Sequence, residues 1–405
     1  MAWDVRPTAD LKEFKHAVGA ISHYFGGGPD DERVERFAGV LPLERMHAAF
    51  DGDRIVGGAG AFPFELTVPG GTVACGGVTV VGVLPTHRRR GALTAMMRAQ
   101  VEDIRDRGEP IAALWASEET IYRRYGYGLA SLAGEIQLAA GYTGLREPAD
   151  ETATARLVTL EEATTLVPPI YDRIRLRTPG MFARTPEWWE LRNLADPPER
   201  RAGGGEKNVL VLELGGEPAG YALYRMFFKL EDGSTAGHVE VIEALADGPA
   251  ATRELWRVLL EIDWVATVKA FLLPVDHPLV HQLRYPRRMR MRVGDALWVR
   301  VVDVGAALSA RAYGGDGPVV LEVGDPFLPA NAGRWRLAGG SAQRTEEPAD
   351  VALDVGELAS AYLGGFTFGE LVRAGAVREL REGGAARADA VFLVDAPKPW
   401  CPEIF

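Results

Sequence analysis

The stretch GVTVVGVLPTHRRRGALTAMMRAQV, residues 77–101, contains the clearest structural pattern in the sequence. β-Branched residues dominate 78–84, which is typical of a buried strand, and Pro85 ends the hydrogen-bond ladder of that strand. From Ala92 onward the residues have helical propensity, and the apolar ones are spaced to cover one helix face. The pattern therefore predicts a strand, a basic glycine loop and a helix in direct succession.

The loop before Ala92 is suited to binding an anion. Backbone N–H groups at a helix start have no intrahelical partner, and the helix dipole adds partial positive charge at the same point. Gly91 lets the main chain approach a phosphate, and the arginines at 88–90 add charge-assisted donors. The alternative is a solvated basic cap on an ordinary strand–helix unit. A Walker-type phosphate loop is excluded because no Gly-Lys-Ser/Thr sequence closes the loop.

This strand, Arg-x-x-Gly loop and helix resemble the acetyl-CoA loop of the GNAT acyltransferases, and in particular that of the enhanced-intracellular-survival (Eis) N-acetyltransferases. Two further places agree with the Eis branch: IYRRYGYG at 121–128, where the family keeps its tyrosine-bearing loop, and the aromatic chain end Phe405. The resemblance implies acetyl-CoA as co-substrate. The residues that it assigns to acetyl-CoA are Val81, Val83, Arg88, Arg89, Arg90, Gly91, Ala92, Leu93 and Thr94.

The composition narrows the protein class. A chain of 405 residues should hold two or three domains, and 47% hydrophobic with 25% charged residues is ordinary for a soluble protein. We expect no membrane span, since no apolar run approaches ~20 residues, and a cytoplasmic location, since the first residues do not form a signal peptide. We expect Cys75 and Cys401 to be free thiols, and we expect no metal site. The net charge of -11 argues against a nucleic-acid partner and permits a cationic one.

The chain is predicted to contain three units of α/β and α+β class. The first, 1–145, has strands on either side of the helix after Gly91, and such a βαβ arrangement has a cleft at the carboxyl ends of its strands. The second, 146–293, faintly repeats the first but has no Arg-x-x-Gly in its loop, so we expect a degenerate GNAT-like copy. The third, 294–405, is predicted as an α+β layer, and the resemblance implies a sterol-carrier-like fold for it.

Acetyl transfer to an amine requires a polarised thioester carbonyl, a neutral attacking nitrogen and a proton for the departing thiolate. The N–H of Val81 is the candidate oxyanion donor. Tyr127 is the candidate general acid, because its Gly-Tyr-Gly setting resembles the family loop. Tyr122 and Tyr125 are rivals by proximity, and a packing role for Tyr127 is the alternative.

The α-carboxylate of Phe405 is the second candidate catalytic group. A chain end is normally a solvated tail, but PWCPEIF at 399–405 is stiff and apolar, which favours docking. With an ordinary pKa of about 3.5 the carboxylate is ionised and can hold an ammonium group and accept its proton. By resemblance, the chain end reaches the acetyl-transfer cleft, and Thr79, Val80 and Asp295 contact the acceptor.

The sequence thus predicts an acetyl-CoA-dependent N-acetyltransferase of the Eis type. Its expected acceptors are primary amines of polycationic, aminoglycoside-like small molecules or lysine side chains. A non-catalytic lipid carrier and a CoA-binding regulatory protein are the alternatives. The resemblance also implies a homohexamer built as a dimer of trimers.

Overall fold

The computed structural model describes residues 3–28 and 30–405. Contacts divide the chain into two units that do not follow sequence order. The first contains the described residues up to Ser131, together with Ala296–Pro399 and Ile404–Phe405. The second contains Leu132–Asp295 and Trp400–Glu403.

Helices and strands alternate along the chain. Up to Ser131 they are β1 (Asp4–Pro7), α1 (Leu11–Ser22), α2 (Asp31–Ala38), β2 (Met46–Asp51), β3 (Arg54–Val68), β4 (Gly71–Val83), α3 (Ala92–Asp106), β5 (Ile111–Trp115), α4 (Glu119–Tyr122) and β6 (Tyr127–Leu129). From Leu132 to Asp295 they are β7 (Leu132–Ala139), β8 (Ala153–Val158), α5 (Leu160–Arg175), α6 (Pro186–Trp188), β9 (Lys207–Leu214), β10 (Glu217–Phe227), β11 (Leu230–Glu231), β12 (Ser234–Thr235), β13 (His238–Ala246), α7 (Pro249–Leu260), β14 (Thr267–Pro274), α8 (Leu279–Gln282) and β15 (Arg292–Asp295). From Ala296 they are β16 (Leu297–Val301), α9 (Val304–Ser309), β17 (Val319–Gly324), β18 (Gly333–Ala338), β19 (Ser341–Arg344), β20 (Val351–Asp354), α10 (Val355–Tyr362), α11 (Phe368–Arg373), β21 (Arg378–Glu379) and α12 (Gly384–Phe392).

The first sheet has the order β1-β2-β3-β4-β5-β16-β6. β4 and β5 are parallel, and α3 connects them, as the strand–loop–helix pattern predicts. α3 buries Met96, Met97, Val101 and Ile104 on one face, and each such side chain contributes about 1.5 to 3 kcal/mol through burial. β16 comes much later in sequence, yet it pairs with both β5 and β6, and all of its residues are buried.

The second sheet has the order β15-β7-β14-β13-β10-β9-β8 and repeats the plan of the first. β13 and β14 are its parallel pair, connected by α7. Leu255, Trp256 and Leu259 of α7 are fully buried in its core. The sheet includes β7, which pairs with β14 and β15, so the predicted boundary at residue 145 falls after the first strand of this unit.

The C-terminal residues add a five-stranded sheet of order β19-β18-β17-β20-β21 to the first unit. α10 packs against β6 and β16. A Cβ atom on Gly128 of β6 would lie 1.8 Å from the Gly356 carbonyl oxygen, so the close approach of α10 requires glycine at this position. The predicted combination of α/β and α+β layers is confirmed. Within the described residues, no helix has the length and apolar character to cross a membrane.

Candidate active site

The candidate site begins where two parallel strands of the first sheet separate. β4 pairs with β5 through Cys75, Gly76 and Gly77, and the pairing ends there although β4 continues to Val83. Backbone groups of β4 beyond Gly77 are therefore not used by β5. An extended ligand arm can pair with such groups as an added strand does.

A β-bulge distorts β4 at this opening. The register places Thr79 opposite Gly60 and Gly82 opposite Gly58, so Val80 and Val81 share one partner, Ala59. Val80 has φ +47°, a left-handed conformation that is rare for a β-branched residue and costs about 1 to 3 kcal/mol. Bulges of this kind re-aim backbone groups and are common beside active sites.

The basic loop forms one wall of a cleft of about 800 Å³ beside the opening. Gly91 caps α3 with φ +88°, a conformation that glycine adopts without strain. Eight of the predicted acetyl-CoA residues line the cleft: Val81, Val83, Arg88, Arg89, Gly91, Ala92, Leu93 and Thr94.

Two of the predicted acetyl-CoA residues make contacts with other parts of the protein. Arg90 is not part of the cleft wall: its guanidinium lies 5.8 Å from the centre of the Trp3 ring, and its carbonyl accepts a hydrogen bond from Trp3 Nε1. The carbonyl oxygen of Val83 accepts a 2.7 Å hydrogen bond from the hydroxyl of Tyr24, which also lines the cleft. In this structure the backbone of Val81 is consequently the better placed of the two valines to meet a ligand arm.

The three candidate tyrosines occupy different depths. Tyr122 and Tyr125 line the cleft, and the Tyr125 hydroxyl lies 3.2 Å from Thr94 Oγ1. Tyr127 is only 1% exposed, and its hydroxyl has no hydrogen-bond partner among the described residues. Burial raises the pKa of Tyr127 far above its usual value, and raises that of Tyr122 to about 12. The Tyr122 and Tyr127 rings are in edge-to-face contact, so Tyr127 lies one side chain behind the cleft wall.

A buried cation lies beside Tyr127. Arg300 of β16 is the cross-strand neighbour of Tyr127, and its positive charge opposes the burial-induced rise in the tyrosine pKa. The Arg300 side chain has no exposed area and donates a 2.5 Å hydrogen bond to Asp325. Its Nε and Nη1 atoms have no partner among the described residues. Arg300 is absent from the residues predicted from the sequence. A lone charge inside the apolar strand 297–302 nevertheless indicates a buried cation with a specific partner.

The chain end packs against the first sheet near the same opening. Phe405 is 9% exposed, and its ring centre lies 4.9 Å from that of Phe64 and 6.4 Å from that of Phe62. Phe64 in turn covers Gly77, where a Cβ atom would lie 2.2 Å from the Phe64 ring. The C-terminal aromatic ring is thus packed against side chains of the first unit.

The predicted acceptor residues lie on different strands. Thr79 and Val80 are half-buried on β4 at the bulge. Asp295 is the exposed last residue of β15 in the second unit, where it pairs with Leu132. No group of three or more His, Cys, Asp and Glu side chains within residues 3–28 and 30–405 is arranged to hold a metal ion.

The second sheet contains a comparable strand opening. β13 pairs with β14 over His238–Val241; beyond Val241 it leaves β14 but stays paired with β10, with a register shift at Leu223 and Tyr224. A buried ion pair lies here: Arg184 forms two hydrogen bonds, of 2.9 and 2.6 Å, with Glu243 of β13. The loop before α7 has an acidic residue, Asp247, which is bonded to Arg177. The second opening is therefore filled by protein, and its loop has no cradle of free cations.

Comparison with known families agrees with this division. Residues 4–130 and 180–301 each match a model described as an acetyltransferase (GNAT) domain. Residues 304–402 match the sterol carrier protein domain. The predicted fold of two GNAT domains and a sterol-carrier-like domain is thereby confirmed.

Whole-length relatives are also similar. An uncharacterized N-acetyltransferase of Streptomyces avermitilis is 41% identical over 392 residues, covering 94% of each chain. N-acetyltransferase Eis of Mycobacterium tuberculosis is 34% identical over 359 residues, covering 85% of each chain. The crystal structure of Eis1 from Mycobacterium abscessus superposes with a TM-score of 0.84 at 34% identity and covers 100% of both chains.

Proposed function

The chain belongs to the Eis family of GNAT N-acetyltransferases, and on that premise we propose that it acetylates primary amines of polycationic small molecules or of lysine side chains. The observation that carries the proposal is the open strand pair of the first sheet, with the basic loop on the wall of the adjoining cleft. The net charge of -11 is compatible with a polycationic acceptor.

The cleft residues fit acetyl-CoA, which supplies an acetyl thioester and a thiolate leaving group. Arg88, Arg89 and the N–H groups around Gly91 would hold its pyrophosphate at the start of α3. The free edge of β4 would pair with its extended arm, and Val81 lies at the bulge, where the regular register with β3 is interrupted. We assign the N–H of Val81 to stabilisation of the oxyanion, a contribution of about 3 to 4 kcal/mol in comparable enzymes.

On the family resemblance we assign Tyr127 the role of general acid: its phenol would donate its proton to the leaving thiolate once the Tyr122 ring, which separates it from the cleft, moves aside. The Tyr127 hydroxyl is free of other hydrogen bonds within the described part of the chain, so the proton is not committed elsewhere. Arg300, immediately beside it, would stabilise the phenolate that remains. Tyr122 is the rival because it lines the cleft directly.

We assign the carboxylate of Phe405 the task of holding the acceptor ammonium and removing its proton, directly or through water. The ring packed on Phe64 fixes the last residue of the chain beside the strand opening. Thr79 and Val80 are proposed to shape the acceptor pocket. For Asp295 the proposed contact with the acceptor depends on the family resemblance alone.

The decisive experiment is acetyl-CoA-dependent thiol release with a panel of aminoglycosides, polyamines and lysine peptides. The intact chain is compared with one that lacks Phe405 and with one extended by a single glycine, which keeps the ring and moves the carboxylate. We expect turnover with polycationic amines and loss of turnover in both altered chains. Turnover retained in the extended chain would contradict the assignment of the Phe405 carboxylate as the base. Absence of turnover with every amine would contradict the proposed acceptors.

The proposed assembly is a homohexamer, a dimer of trimers, as the family resemblance implies. Light scattering of the purified chain tests it directly. A mass near six times 43.9 kDa is expected, and a monomeric mass contradicts the proposal.

A further inference from the structure

A second basic feature lies in the other unit and has no part in the proposed reaction. The segment RYPRRMRMR, residues 284–292, contains five arginines in a chain of net charge -11. Arg288, Arg290 and Arg292 alternate with Met289 and Met291. Such alternation presents the arginines together when the methionines are anchored in the protein.

The methionines are anchored. Met289 is 2% exposed in the core of the second unit. Met291 is half-buried and packs against Gly134 of β7, where a Cβ atom would lie only 3.0 Å from the methionine side chain. The segment is therefore fixed to the sheet, and the three arginines face a common cavity.

The cavity has a volume of about 410 Å³, within the range of small-molecule sites. Besides the three arginines, its wall includes the amide of Gln137 and the side chains of Tyr142 and Thr267. A concave site with donors of several kinds suits a small ligand better than a flat protein surface.

Two of the arginines are held by side-chain contacts, and the third has an unusual backbone conformation. The Arg288 guanidinium lies 4.4 Å above the Tyr142 ring, which is itself in edge contact with Tyr285. Arg292 forms a 2.8 Å ion pair with Glu135. Arg290 has φ +48°, a strained conformation for a residue with a side chain. Strain of this kind is concentrated at ligand clamps and catalytic sites.

The charge of the cavity is unbalanced. Three arginines line it and Glu135 is the sole acidic residue on the described wall, which leaves an excess of two positive charges. A phosphate monoester carries about -1.5 to -2 charges at neutral pH, and arginine binds it through paired N–H donors. We propose that this cavity is a binding site for a small phosphorylated anion, separate from the acetyl-CoA cleft of the first unit.

Inorganic pyrophosphate is a suitable probe, provided that the loop of the first unit is disabled. The background is therefore the full chain with R88A and R89A. Calorimetry at low salt should show pyrophosphate binding in that background, and binding should weaken as salt rises. Adding R290G should weaken it at least ~10-fold, because one fork of donors is lost. Adding R287A, a neighbouring arginine outside the cavity wall, should change it less than ~2-fold.

R290G also separates a ligand-binding role from a structural one. Glycine relieves the positive φ, so the melting temperature should rise by about 2 °C while the pyrophosphate affinity falls. A fall in melting temperature would assign Arg290 to the fold and overturn the proposal. Absent pyrophosphate binding in the loop-disabled chain would overturn it as well, and so would an R290G affinity equal to that of the background. Loss of self-association in R290G would instead assign the segment to a contact between copies. None of these outcomes depends on acetyl transfer.

Discussion

The two GNAT domains of this chain share one backbone plan and differ in what occupies the opening between their parallel strands. In the first, β4 separates from β5 after Gly77 and leaves a cleft of about 800 Å³ with arginines on its wall. In the second, β13 separates from β14 after Val241, and Arg184, Tyr221 and Glu243 form a buried hydrogen-bonded cluster there. The same separation of parallel strands thus occurs in both domains, and the side chains beside it determine whether the opening can bind a ligand or is packed with protein.

The largest expected effect separates the two buried tyrosines. Y127F removes the proposed general acid and should lower kcat by about 10²- to 10⁴-fold, the usual contribution of such a group. Tyr221, equally buried in the second unit and bonded to Glu243, provides the matched control. Y221F should leave kcat within ~2-fold while lowering the free energy of unfolding. Equal kcat values for Y127F and the wild type, with loss in Y122F, would transfer the acid role to Tyr122.

The second effect concerns the filled opening. R184M leaves Glu243 buried without its cation, which should cost about 3 to 5 kcal/mol of unfolding free energy in urea. The double variant R184M/E243L should recover part of that loss, because the Arg184–Glu243 charges are both gone, while Glu403 and the Tyr221 hydroxyl each still lack the partner they had. The KM for acetyl-CoA should not change in the double variant. A raised KM would mean that the second opening contributes to cofactor binding.

The third effect is a pH dependence of the second unit. Burial lowers the pKa of His277 to about 4, from about 6.5 in the unfolded chain. The unfolded state therefore binds a proton between these values and the folded state does not, so stability falls as pH drops from about 6.5 to 4, by about 3 kcal/mol in total. H277N, which keeps an acceptor for the Leu279 N–H, should flatten urea midpoints measured between pH 7 and pH 4.5. An unchanged slope would locate the acid sensitivity elsewhere.

The smallest effect tests the loops. R88A removes one charge-assisted donor from the open cleft and should raise the KM for acetyl-CoA about 10-fold, equivalent to about 1.4 kcal/mol. R177A removes the arginine bonded to Asp247 in the corresponding loop of the second unit and should leave this KM unchanged. Similar KM values in the two variants would contradict the division of roles between the loops.

The local parts of the first domain were predictable from sequence. The strand, loop and helix at 77–101 depend on propensity, glycine and charge over short distances, and the structure contains them as β4 and α3. The same holds for the loss of the Arg-x-x-Gly loop in the second domain. Local patterns of this kind can be predicted because the interactions that cause them lie within a few residues of one another.

The parts that escaped prediction depend on distant partners. The sequence predicts that β16 opens the third unit, but it lies between β5 and β6, where both of its backbone edges are hydrogen-bonded and its side chains are buried. The pairing of Arg300 with Asp325, and of Arg184 with Glu243, joins side chains that no local pattern relates. The bulge at Val80 is likewise a feature of the register between β4 and β3, which are paired over a long stretch.

The position of β16 has a consequence for biosynthesis. β6, which contains Tyr127, pairs only with β16 in the first sheet, and β16 is translated about 170 residues later. At typical elongation rates the ribosome needs roughly 10 to 30 s to cover that distance. During that interval β6 of a nascent chain lacks its strand partner in the first sheet. The strand that contains Tyr127 is thus expected to reach its native pairing late in synthesis, after β16 has left the ribosome.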